Sequence, residues 1–184
     1  MPSVTRLYNG LGDSGSTDLL GERVEKDDPR IDILGDLDEA TSAAGFGKAL
    51  AASPRTREFI SEVQRDLYRI MAELAFTDDL RPAGYTFAAE RVTWLETTTD
   101  ELTATLDLPP QFILPGDTVP GAALDVARTV VRRAERAAVA LHTAGHVKNE
   151  QILRYLNRLS SLLFILARFE DREAGVTPQA AKGR

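Results

Sequence analysis

The chain has 184 residues, 43% hydrophobic and 27% charged, with a formal net charge of −6. That balance suits a single soluble domain with room for a substantial core, and the acidic excess argues against a general nucleic-acid-binding role. There is no cysteine and there are two histidines, His142 and His146, which excludes disulfides, thiolate metal sites, a cysteine nucleophile and a histidine-rich metal centre. The histidines stand four apart, but no HExxH pattern surrounds them, and a surface position is the better reading than a zinc pair. No apolar run approaches the roughly 18 residues of a membrane helix, and the N-terminus lacks a signal-peptide core. A soluble cytoplasmic protein with no membrane or nucleic-acid partner is expected.

Residues 1–27 form an irregular arm in which Gly10, Gly12, Gly15 and Gly21 alternate with Asn9, Asp13, Ser14, Ser16 and Thr17. Such a stretch is either a mobile terminus or a backbone cradle whose N–H groups take up phosphate. It has no Gly-Lys-Ser/Thr of the Walker type. Asp28-Pro29 then opens a helix, which Ile33, Leu37, Ala40, Ala44 and Ala51 carry to residue 52, where Ser53-Pro54 stops it. Within it Asp38 falls on the apolar shoulder, in line with Leu34 and Gly45. Buried there, a carboxylate would need a cationic or hydrogen-bonding partner; half-exposed, it would not.

A second helix spans residues 55–76, with Phe59, Ile60, Val63, Leu67, Ile70, Met71 and Leu74 as its apolar stripe. Residues 77–85 connect it to a third helix over 86–106, with Val92, Leu95, Leu102 and Leu106 inward and Trp94 in the core or at an interface. Phe112, Ile113 and Leu114 follow on a loop bracketed by prolines. Such a loop either holds a large apolar side chain in a fixed place or staples the bundle end.

The fourth helix, residues 120–143, carries the densest charge. Arg128, Arg132 and Arg136 recur at i, i+4 and i+8, stacking three guanidiniums on one face beside Glu135. Val126, Val130, Ala134, Ala137 and Leu141 take the other side. Guanidinium forks match phosphate and carboxylate oxygens, so the face suits a polyanion or an acidic helix, although a salt-bridged solvent face has the same pattern. Gly145 closes this helix. A fifth, over residues 147–172, has Ile152, Leu156, Leu159, Leu163, Leu166 and Phe169 as its stripe, interrupted by Asn157-Arg158, a polar pair aimed at a site. Residues 173–184 are small and polar and are expected to be disordered. With no repeat and no strand signal, the expected fold is all-α: a bundle of five helices, residues 28–172, with antiparallel neighbours.

The segments GDSGSTDLLG, KDDPRIDILGDLDEATSAAG, FILPG, DVARTVVRRAER and YLNRLSSLLFILAR occur in this order. Over residues 5–170 they resemble the PduO-type ATP:cob(I)alamin adenosyltransferases. The resemblance implies a homotrimer with active sites between subunits. It implies transfer of the 5′-deoxyadenosyl group of ATP to cob(I)alamin, with release of triphosphate. Asn9, Gly10, Leu11, Gly12, Asp13, Gly15 and Thr17 then correspond to an ATP-binding arm, with Lys26 reaching phosphate. Arg132, Arg133, Glu135, Arg136 and Asn157 match nucleotide-holding positions. Arg128 and Asp38 look like the family's arginine–aspartate pair, and Phe112 like the aromatic on the lower face of the corrin; with Arg132 these are the expected catalytic residues. Mg²⁺ is expected mainly on the ATP phosphates, with Glu135 a candidate additional ligand. A reductase and an adenosylcobalamin-dependent enzyme are the implied further partners.

Several positions depart from the family pattern. Asp125 stands where histidine is common and Ser161 where aspartate is; Asp117 replaces a glycine and Thr41 an asparagine, while Asn9, Gly10 and Leu11 replace a Thr-basic-Thr run. These departures leave a second reading, a non-catalytic nucleotide or corrinoid carrier descended from the family.

Overall fold

Asp28 opens the bundle as expected. In the computed structural model, which describes residues 9–77 and 79–182, its carboxylate accepts a hydrogen bond from Arg30 N at 2.9 Å, with Pro29 in the first turn. The Arg30 side chain and N–H hold the Asp28 carboxyl down at about 2. The N-terminal arm expected over residues 1–27 is therefore seen from Asn9 onward, and residues 1–8, 78, 183 and 184 lie outside the described residues.

Five helices follow: α1 (Pro29–Leu50), α2 (Pro54–Ala75), α3 (Glu90–Thr103), α4 (Val119–Thr143) and α5 (Glu150–Glu173). Helix α3 starts later than its sequence suggests, for a physical reason. The buried Glu73 carboxylate accepts Phe87 N at 2.5 Å and Asn149 Nδ2 at 3.1 Å, and Asn149 also donates to Phe87 O at 3.0 Å. Phe87 meets the Tyr155 ring edge-on at 5.0 Å. The segment before Glu90 is thus spent on a short 3-10 turn, Ala83–Tyr85, and on these anchors rather than on a helical turn.

Helix α1 packs on α2 and α4, and α5 on α4, α3 and α2. Cross-helix contacts set the directions. Asp36 meets Arg133 while Gly47 faces Leu124, so α1 and α4 are antiparallel; Asp125 meets Arg168 while Glu135 meets Asn157, so α4 and α5 are too. Helices α3 and α5 are also neighbours yet run the same way: Glu96 bonds Arg158, and Thr105, just past α3, accepts from Arg172. Antiparallel packing therefore holds for most neighbours and not for that pair. Over residues 162–171, α5 is buried at every position except Phe164, making it the centre of the bundle at that end.

The arm is not wholly irregular. Strands β1 (Ser16–Leu19) and β2 (Glu22–Glu25) pair antiparallel, with Ser16 opposite Glu25. Leu19 and Val24 are the buried contacts of the hairpin, too few apolar positions to leave a readable period. Leu20 N donates to Ala75 O at 2.9 Å and Thr77 N to Leu20 O at 3.2 Å, docking the turn on the end of α2. Gly21 has φ of 125°, and a Cβ there would stand 2.6 Å from Thr77 Oγ1, so the tight turn and the close docking both require glycine.

The C-terminal residues are also engaged. Leu114 N donates to Gln179 O and Ala181 N to Phe112 O, each at 2.8 Å, with an antiparallel bridge between Ile113 and Ala180. The exposed backbone edge of the Phe112 loop supplies partners that a small, polar composition gives no sign of. His142 Nδ1 lies 2.7 Å from Val147 O and His146 is exposed. Among the described residues no group of three or more His, Cys, Asp or Glu could hold a metal, and no helix is long and apolar enough to cross a membrane.

Where α1 turns into α2, Ser53 makes no side-chain cap. Buried Glu170 of α5 replaces it, accepting Ala52 N at 2.8 Å and Ser53 N at 3.3 Å. Charge-assisted bonds to two otherwise orphaned N–H groups put the expected loss in Glu170→Ala at about 2–3 kcal/mol in urea unfolding. A loss within error would mean that water caps the turn as well.

Candidate active site

The α4 arginines divide into three kinds. Arg133 reaches across to α1, where Asp36 Oδ1 accepts Nε at 2.9 Å and Glu39 accepts Nη2; these contacts raise its pKa and tie α4 to α1. Arg128 is bound at Nε by Asp125 Oδ1 at 2.9 Å. Arg132 and Arg136 are exposed, and neither guanidinium has a carboxylate partner among the described residues; Arg136 Nη1 donates to Arg132 O at 3.0 Å. Beside them Asn157 Nδ2 donates to Glu135 Oε1 at 2.8 Å, and Arg158 links Asn157 to Glu96. The polar interruption of α5 thus does face the cationic flank of α4. Arg128 and Arg132, with Thr99, Thr103, Ser161 and Phe164, line a groove of about 350 Å³ between α3, α4 and α5.

One expectation for α4 is corrected. Val130, Ala134 and Leu141 are buried and Ala137 half-buried as read, but Val126 is 57% exposed and Asp125 only 4%, so at the start of the helix the aspartate and not the valine points inward. The Asp38–Arg128 pair is not made within the chain. Asp38 is exposed, with no ion pair among the described residues, and Arg128 is taken by Asp125, one turn before it on its own helix.

What draws Asp125 inward is Arg168 of α5, a residue the sequence reading passed over. Its guanidinium is 1% exposed; Nη2 donates to Asp125 Oδ2 at 2.8 Å and Nε stands 2.8 Å from Asp171 Oδ2. Asp171 in turn accepts Thr118 Oγ1 at 2.6 Å, and Thr118 caps α4 by accepting Gly121 N at 3.0 Å. The available signal was that Arg168, Glu170 and Asp171 follow directly on the apolar run Leu162 to Ala167.

In the arm, Asn9 Oδ1 accepts Leu11 N at 3.0 Å, Asp13 N donates to Gly10 O and Gly15 N to Gly12 O. Several loop N–H groups are therefore spent closing turns. The cationic handle is Lys26, whose Nζ would lie 3.1 Å from a Cβ at Gly12 and whose N–H donates to Gly15 O at 2.8 Å. Any side chain at residue 12 would meet the lysine. Arg23, also unremarked in the sequence, knits the loop to the hairpin through Leu11 O at 2.6 Å, Ser16 Oγ and Asp18; Thr17 lies in β1 opposite Val24. Among the described residues no hydrogen bond or ion pair joins this loop to Arg128, Arg132 or Arg136.

Phe112 is 74% exposed while its neighbour Ile113 is buried. Ile113 is the anchor of the loop and Phe112 the side chain it presents, so Phe112 does not staple the bundle end.

Residues 7–170 match the family model described as cobalamin adenosyltransferase. The chain is 37% identical over 175 residues to the corrinoid adenosyltransferase of Bacillus subtilis, covering 93% of this chain and 89% of that protein. It is 37% identical over 170 residues to the corrinoid adenosyltransferase PduO of Salmonella typhimurium, covering 91% of this chain and half (50%) of that longer protein. The structure of an F112A variant PduO-type ATP:corrinoid adenosyltransferase from Lactobacillus reuteri, complexed with cobalamin and ATP, matches with a TM-score of 0.90 at 31% identity, over 97% of this chain and 100% of that one. An R132K variant from the same organism, complexed with ATP, matches at 0.87 and 32%, over 96% and 100%. By the match to that family model over most of its length, and by these identities, this protein belongs to the cobalamin adenosyltransferase family.

Proposed function

We propose that the chain transfers the 5′-deoxyadenosyl group of ATP to cob(I)alamin, forming adenosylcobalamin and releasing triphosphate. The observation that carries the reading is the flank of α4. In an acidic chain whose other arginines are largely paired, Arg132 and Arg136 present guanidiniums with no carboxylate partner among the described residues, beside the Glu135–Asn157 contact. That arrangement fits a polyphosphate with an adenosine end.

The reaction is a displacement at carbon. The Co(I) centre of the substrate supplies the electron pair, a bond forms to ribose C5′, and the C5′–O bond breaks with its electrons leaving on triphosphate. Arg132, Arg136 and Lys26 stabilise the charge that accumulates on that leaving group, an effect worth several kcal/mol, roughly, in a site poor in water. No general base is needed, which agrees with a chain that offers no serine or histidine constellation. Mg²⁺ would neutralise phosphate charge; a single nearby carboxylate, Glu135, fits an ion carried mainly by the phosphates. Phe112, presented on an anchored loop, would fill the lower face of the corrin and keep water and a base off the metal, easing reduction from cob(II)alamin.

We place the working site between subunits of a homotrimer. Among the described residues no hydrogen bond or ion pair joins the Lys26 loop to the α4 arginines, Asp38 is exposed without an ion pair, and Phe112, Val126 and Val139 are exposed apolar groups. An Asp38–Arg128 pair would then form across an interface. A reductase supplying Co(I) and an enzyme consuming adenosylcobalamin are the partners this chemistry needs. The carrier reading loses its main support, because the carboxylate of Asp125 is turned inward and neutralised, and that of Asp117 accepts Gln179 N at 3.1 Å.

ATP, Mg²⁺ and chemically reduced cobalamin should give the adenosylcobalamin spectrum with this protein; its absence with the protein folded and trimeric would sink the reading. Arg132→Ala should lower kcat by about 100-fold, the scale of losing one charge-stabilising donor, and a change in KM alone would assign Arg132 to ground-state binding. Phe112→Ala should leave ATP affinity intact and slow turnover from cob(II)alamin by about tenfold or more, about 1.4 kcal/mol of barrier. Equal rates would remove the wedge role.

A further inference from the structure

We infer that Asp125 and Arg168 are positioning residues for Arg128, a buried relay that aims this guanidinium into the groove it shares with Arg132; the inference rests on the adenosyltransferase reading for what Arg128 acts on. An aspartate three residues before an arginine on an open helix face would make a weak, mobile pair. This one is neither open nor mobile. One Asp125 oxygen accepts Arg128 Nε at 2.9 Å and the other accepts Arg168 Nη2 at 2.8 Å, so the carboxylate cannot turn without breaking a buried bond. Arg168 is itself immobilised: its Nε faces Asp171 at 2.8 Å, and its guanidinium carbon lies 5.4 Å from the centre of the Phe164 ring.

The pinning uses the Nε–H of Arg128 and leaves its terminal nitrogens to reach the groove, where Phe164 and Arg132 are also found. The charges balance within the relay, two carboxylates against two guanidiniums, which is what lets it stay buried. A histidine at residue 125 could not bind both arginines, so Arg168 and Asp125 form one unit. The other end of the relay is Asp171 with Thr118, the cap of α4, one residue beyond Asp117 of the loop that presents Phe112. The orientation of Arg128 and the base of the Phe112 loop therefore share a single buried support.

The test uses the full-length protein and Asp125→Asn, which keeps shape and an acceptor oxygen while removing the charge, assayed well below its own melting temperature. With saturating ATP and reduced cobalamin, Asp125→Asn should lower kcat about tenfold in the wild-type background but change it less than about twofold when Arg128 is already alanine. Independently of turnover, the Arg128 Nε–H signal in ¹⁵N NMR, identified by its loss in Arg128→Lys, should exchange with water at least about tenfold faster in Asp125→Asn. Equal losses in both backgrounds, or an unchanged exchange rate, overturn the positioning role. If the wild-type protein forms no adenosylcobalamin, the reaction assigned to the family fold fails, and the exchange comparison alone decides whether Asp125 fixes Arg128.

Discussion

Arg168 puts a full positive charge inside the interface of α4 and α5, and the polar architecture of that end of the bundle is arranged around it. A guanidinium at 1% exposure is tolerable only if carboxylates neutralise it where it stands. Asp171 does so from its own helix, and Asp125 does so from α4, which must present residue 125 inward to reach it. That requirement agrees with the apolar face of α4, where Leu124, Ala127, Val131, Ala134 and Ala138 are buried. With Asp125 inward, Val126 falls to solvent, Arg133 toward α1, Arg128 and Arg132 along the groove, and Arg136 on the open side.

Other buried carboxylates do similar work elsewhere. Asp66 of α2 accepts the Tyr155 hydroxyl at 2.9 Å and the Arg91 guanidinium, joining α2, α3 and α5; burial and the neighbouring Asp66 push the Tyr155 hydroxyl well above its usual range. Glu73 ties the start of α3 to the start of α5, and Glu170 caps the α1–α2 corner. Each spans elements far apart in sequence, and each satisfies groups that would be expensive to bury unpaired. An apolar bundle could slide by a turn at modest cost; one pinned at these points has a single register, and the arginine flank needs that register to present its free guanidiniums together.

Much of this was legible in the linear pattern. The five helices follow from 3.6-residue apolar periodicity, and the opening of α1 from Asp28-Pro29, because those signals are local. The cluster of Arg128, Arg132, Glu135 and Arg136 on one helix, and the polar interruption at Asn157, were equally local; Arg128 and Arg132 line the groove, and Asn157 meets Glu135 beside it. The hairpin was not legible: two buried side chains, Leu19 and Val24, make no period, and its docking runs through backbone groups of Leu20, Ala75 and Thr77. The pairing of residues 179–181 with the Phe112 loop was hidden for the same reason, since main-chain hydrogen bonds leave no mark on composition.

The amino-acid sequence by itself determined the helices, the order of the motifs and the chemical types at the site: guanidiniums and a lysine for phosphate, an exposed-loop aromatic, and no base. It also marked Asp125 as anomalous. Only the tertiary structure decided which charges are spent on the fold and which are free for a ligand. Arg133 and Arg128 are indistinguishable from Arg132 in a helical wheel that knows nothing of the neighbouring helix. The cross-helix partners, Asp36 for Arg133 and Asp125 for Arg168, are chosen by how α1, α4 and α5 pack, and for the buried Arg168 that choice is binding because an unpaired charge there has no water to turn to.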